Sequence, residues 1–402
     1  MGETRMVESQ SAESRHRLSA IDQWRGVSVL LVILHHFVIL RFIHQFNVAY
    51  RLSDFIRHPA LEYFPEAAAR LFYLWAHGIG PLGVQIFFVI SGYIITRLLI
   101  KELEKTGEVC LKCFYIRRAF RILPALIFFV FMMWALSLTG AIVISPVNVG
   151  SVATFACNTS LVDCGYYFGH FWSLGVEEQF YVLWPLLFVL FVTFGRTGLI
   201  WVILGACLIV SVIPRFRSLG FVNNGLSFAC IAAGAAYALN ERFRAWLSAT
   251  RSLPPWLLPV TLVVGLTLLK ALVANMWVIT TLITPFLIVA TVLPRADGAK
   301  SHNQGYISRW LNRVGLMSYS LYLWHYAFTW EPEHYSSTAF WIASIPLGLG
   351  LSWLSAHHIE PFFIAIGRKL SANANLISPV QSAFDPPAPP GEYPQQSTDP
   401  VT

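Results

Sequence analysis

Two histidines, a glutamate, a serine and a small set of arginines stand out in this sequence because each lies inside, or at the edge of, a long apolar run. Arg25 and His36 occur in IDQWRGVSVLLVILHHF. Their separation is close to three helical turns, so they share a face and lie about 16 Å apart along the axis. Val29 and Val32 fall between them, and His35 turns well away. In FWSLGVEEQFYVLWP, residues Ser173, Glu177, Tyr181 and Trp184 recur at helical spacing on one face, with Glu178 directed elsewhere. Pro185 frees the carbonyl of Tyr181, which neighbours must then satisfy. Ser91 and Gly92 in FFVISGY, and His325 in SYSLYLWHY, sit near the middle of their own runs. Polar groups at such depth are costly, which makes each a candidate functional group. A neutral imidazole can take the proton of a hydroxyl, and a carboxylate can orient it. Arg118 and Arg121, one turn apart in FYIRRAFRILPAL, offer guanidinium forks suited to phosphate oxygens at a helix entrance.

The elements that must position these groups follow from composition. The 402 residues are 56% hydrophobic and only 12% charged, about half the charge of a soluble domain. That excludes both an ordinary soluble globule and a disordered chain. Continuous apolar runs near 25–45, 81–100, 122–140, 173–194, 198–214, 221–239, 256–274, 276–293, 314–331 and 339–357 predict membrane helices. Their continuity excludes an alternating barrel. The expected fold is an all-α, polytopic transmembrane bundle of about ten helices with both termini in the cytoplasm. The first span ends without a small-residue cleavage site, so it is expected to stay in place. With spans alternating, 21 Lys and Arg residues fall inside and seven outside. The +7 charge is scattered between apolar runs, which argues against a nucleic-acid partner. Three segments are expected: a cytoplasmic N-terminal stretch 1–20, a membrane domain 21–370, and a tail 371–402. The tail holds seven of the 22 prolines and no Lys or Arg, a disordered composition.

The segments WRGVSVLLVILHH, GVQIFFVISGYIITRLL, FYIRRAFRILPAL, FWSLGVEEQFYVLWPLL and SYSLYLWHY resemble, in order, the motifs of the acyltransferase 3 family of integral membrane O-acyltransferases. The resemblance covers roughly residues 20–330. It implies an acyl-CoA donor, usually acetyl-CoA, approached from the cytoplasm, and an acceptor hydroxyl on a sugar, glycolipid or surface polysaccharide. It implies catalytic roles for His36 and Glu177, and donor-binding roles for Arg25, Arg118, Arg121, Ser91, Tyr181 and His325. Asp22 falls at the acidic position before the family's RG, and Trp324 with His325 matches its late WH motif. A multi-pass location in a bacterial inner membrane goes with this. The outer segment 46–80 is longer than in many members, and no esterase-like domain follows the last run. Transfer to the acceptor is then expected in the membrane domain itself or with a separate partner.

Each group also has a plainer reading. His36 can bond across helices without catalysis, and Arg118 and Arg121 can serve only as topology signals. A transporter or an acyl exporter is the rival function, although no internal repeat is present. Cys157 and Cys164 lie together in an outer loop where an oxidising exterior permits a bridge. Cys110 and Cys113 form a CxxC with no second ligand pair nearby, so they read as structural, and no metal is expected. Cys207 and Cys230 read as packing residues. Asn158-Thr159-Ser160 matches a glycosylation acceptor, of use only in a eukaryotic host.

Overall fold

The computed structural model describes residues 20–40, 66–159, 161–195, 198–212, 221–240, 305–329 and 334–376. The runs 256–274 and 276–293, most of the N-terminal stretch, residues 46–65 and the tail beyond 376 lie outside the described residues. Among the described residues there is helix and no strand. Helix α1 covers 20–40 and ends in a π-helical turn, His35–Leu40. Helix α2 is Glu66–Thr106, α3 Leu111–Ser137, α4 the short Pro146–Ala153, and α5 Phe171–Thr193. Then come α6, Leu199–Val212, α7, Phe221–Leu239, α8, Tyr306–Leu316, and α9, Ser318–Thr329. Helix α10, Thr338–Leu354, passes through a π turn, Ser355–Ile359, into α11, Glu360–Leu376.

Four of these stretches, Ile79–Thr106, Leu111–Ser137, Phe171–Thr193 and Thr338–Ala374, are long and apolar enough to cross a membrane. Three expectations change. The run 314–331 is not one continuous span, because Met317 separates α8 from α9. The last run does not stop at 357 but continues as helix to Leu376, so residues 371–376 belong to α11 rather than to the tail. Asn158 is not an open acceptor: its amide and that of Gln179 exchange two hydrogen bonds of 2.9 Å, tying the loop before α5 to that helix.

Small residues bring α2 and α7 into close contact. A Cβ at Gly92 on α2 would collide with the Ile231 carbonyl, and one at Gly234 on α7 with that of Val89. Ala232, Ala235 and Ala236 are buried beside them. In lipid, where apolar surface gains little by leaving the solvent, such backbone approach is what holds helices together. Gly92 is therefore a packing residue, and its neighbour Ser91 is turned toward the site. The short helix α4 is fixed by a capping box, in which Ser145 and Asn148 exchange side-chain and backbone hydrogen bonds. The Cys157–Cys164 disulfide, with Cα atoms 5.6 Å apart, closes the same loop. Cys110 and Cys113 are also paired, at the start of α3.

Candidate active site

His36 lies in the π turn that ends α1. A π turn adds a residue to the helical repeat and re-aims the side chains on it, a common device at functional sites. His36 Nδ1 is 2.9 Å from the Val32 carbonyl, and His325 Nδ1 is 2.6 Å from the Tyr322 carbonyl. A carbonyl only accepts, so both Nδ1 atoms carry the proton. In each neutral ring Nε2 is then a lone-pair acceptor. The two rings come together with centroids 5.1 Å apart, and Tyr326 lies 5.1 Å from His36. His325 is fully buried. His35 is not turned away from the bundle: it packs over Gly80 and meets His36 edge-on.

A third imidazole joins this pair. His170, buried at the start of α5, lies 5.2 Å from His325 and stacks on Tyr326 at 4.8 Å. The Tyr322 hydroxyl donates to the His170 carbonyl at 2.8 Å and is in short contact with the Ser173 hydroxyl. His170 was legible in principle: the stripe Ser173, Glu177, Tyr181 and Trp184 extends one turn back to position 170. Tyr322 and Tyr326, which flank His325, carried no comparable signal.

Glu177 stands about two turns after His170 along α5. It accepts a 2.8 Å hydrogen bond from Ser91 and a longer one, 3.4 Å, from Tyr181. Glu177 thus bonds Ser91 and Tyr181, while His36 packs on His325 and Tyr326. Glu177 also lines a small cavity of about 50 Å³, with Ser173, Tyr319 and Tyr322. It is large enough for one or two waters.

Below the Ser91–Glu177 hydrogen bond a second cavity opens, of about 710 Å³. Its inner end is formed by Ser91, Tyr181, Ile90 and Phe87, and its outer end by cationic side chains from α1, α2, α3 and α11. Several are already engaged. Arg25 is 3.6 Å from Asp22, and Arg117 is 2.8 Å from Glu102. Arg118 is 3.4 Å from Glu178, with its guanidinium 3.6 Å above the Tyr181 ring. Glu178, read from spacing as lying off the Ser173–Tyr181 stripe, is thus the partner of Arg118. Arg121, Lys101, Lys105 and Arg368 have no carboxylate within ion-pair distance among the described residues. A cavity in which cations outnumber carboxylates can receive a polyanion. Trp324 of the WH pair is a core residue, packed on Phe128 and Phe129.

A model described as an acyltransferase domain matches residues 18–357. The chain belongs to the acyltransferase 3 family. Among relatives, it is 35% identical over 148 residues to the peptidoglycan O-acetyltransferase OatA of Listeria monocytogenes, covering 33% of this chain and 23% of that protein. It is 39% identical over 124 residues to the O-acetyltransferase OatA of Staphylococcus aureus, covering 28% and 20%. The matched region thus spans about a fifth of the length of these relatives. No solved structure matches the chain. All the site groups described above except Arg368 fall inside the family match.

Proposed function

We propose that this integral membrane protein is an O-acetyltransferase that moves an acetyl group from acetyl-CoA to a hydroxyl of a carbohydrate or glycolipid. The observation that carries the reading is the large cationic cavity ending at the Ser91–Glu177 hydrogen bond, with an imidazole cluster beyond it. The family and the O-acetyltransferase names of the relatives agree with it.

In this mechanism the phosphates of the donor lie against Arg121 and its neighbours, and the pantetheine arm runs along the apolar wall to Ser91. The neutral His36 ring takes the acceptor's hydroxyl proton at Nε2 as the oxygen attacks the thioester carbonyl. The carbon–oxygen bond forms, the carbon–sulfur bond breaks, and the proton passes from the imidazole to the departing thiolate. General-base help of this kind contributes about 10²–10⁴ in rate. His325 holds the far side of His36, and Glu177 orients Ser91 and Tyr181 where the donor cavity ends. The wider architecture in this proposal is a ten-span bundle in a bacterial inner membrane, with both termini cytoplasmic, an N-terminal segment 1–20 and a Pro-rich tail.

The test is purified protein with radiolabelled acetyl-CoA and carbohydrate acceptors. CoA release coupled to labelled product is expected. Movement of unmodified solute across vesicles, without CoA release, would make the protein a transporter and end this reading.

A further inference from the structure

The C-terminal helix α11 closes one side of the cationic cavity, although it lies beyond residue 357, where the family match ends. Arg117 pins it there. Its Nη1 donates to Ser371 on α11 at 2.9 Å, and its Nη2 to Glu102 on α2 at 2.8 Å. Arg368 lies about one turn before Ser371, and Lys101 and Lys105 flank Glu102. One arginine therefore draws three cations, from two different helices, to the same rim. None of the three has a carboxylate partner among the described residues. Along α2, Lys105 is 14 residues beyond Ser91, about 21 Å of helix. A donor whose thioester lies at Ser91 extends its pantetheine arm and pyrophosphate down this length. The group that reaches the rim is the one farthest from the thioester.

We propose that Arg368, together with Lys101 and Lys105, forms a binding site for the 3′-phosphate of the CoA donor's adenosine end. This rests on the acyl-CoA reading above and extends it to a helix outside the family domain. Arg368 supplies a planar fork that can take two phosphate oxygens, and the lysines supply point charges opposite it. Arg117 acts on the site as a positioning residue, since its own donors are committed to Glu102 and Ser371.

The experiment measures binding and turnover of acetyl-CoA and of acetyl-3′-dephospho-CoA by detergent-purified wild type, Arg368→Gln and Arg368→Lys. Arg368 is exposed at the rim, so the variants are expected to fold. Arg368→Gln should raise the KM for acetyl-CoA about 3- to 10-fold at unchanged kcat, the range for a partly exposed charge pair. It should leave the KM for the dephospho donor unaltered, and Arg368→Lys should recover part of the loss. An equal rise for both donors, or no rise for either, overturns the 3′-phosphate site while leaving the donor reading intact. Wild type that binds neither CoA species overturns the donor reading itself.

Discussion

Around the larger cavity, cations outnumber carboxylates: Arg25, Lys101, Lys105, Arg117, Arg118, Arg121 and Arg368 face Asp22 and Glu102. Around His36 the neighbours are rings and backbone carbonyls, chiefly His325, Tyr326 and the Val32 carbonyl. The two regions meet at one hydrogen bond, Ser91 to Glu177. Uncompensated charge suits holding an anion that arrives from water, because the ligand completes the ion pairs. Neutral imidazole rings suit moving a proton, because one ring nitrogen accepts while the other donates. On the proposed reading, the fold separates donor binding from proton transfer. Glu177, through its bond with Ser91, stands at the boundary between the two regions.

The sharpest break of this division is His36→Ala. Turnover should fall by about 10²–10⁴ with donor affinity retained, measured as kcat and as CoA binding on inserted protein. A loss confined to KM would move His36 into the binding region. Arg121→Gln should do the reverse. The KM for acetyl-CoA should rise about 10- to 100-fold with kcat largely kept, the worth of a charge-assisted hydrogen bond in a sheltered site. An unchanged KM would return Arg121 to a topological role. At the boundary, Ser91→Ala and Glu177→Gln should each lower kcat/KM about 10-fold, and the double variant should be little worse than either. Simple additivity would show that the two act separately. The smallest effect on activity is expected from Cys157→Ser with Cys164→Ser. Losing this short loop closure should cost about 2 kcal/mol of stability, read as a lower Tm, with the donor KM unaltered. Free thiols at both positions in non-reducing mass mapping would dissolve the bridge.

Particular residues mark how far spacing reached. Ser91, Glu177 and Tyr181 were separately visible as polar groups in apolar runs, and the structure joins them through hydrogen bonds. Arg25, Arg118 and Arg121 were visible as a basic helix-end group, and they line one cavity. The pairing of Arg118 with Glu178 was not visible, because it depends on how α3 and α5 are rotated against each other. Nor was the company of His36: a π turn shifts its register, and His170 and His325 arrive from residues more than a hundred positions away.

Sequence alone determined the membrane-helical character, the family, and the identity of most groups able to do chemistry. It did so because hydropathy and helical periodicity are local properties, and a charge within an apolar run is conspicuous wherever the run ends up. Only the tertiary structure decided which of those groups meet. Helix rotation, close approach at Gly92 and Gly234, and the seating of α11 against α3 are set by packing between distant segments. No single helix encodes that packing in its own pattern.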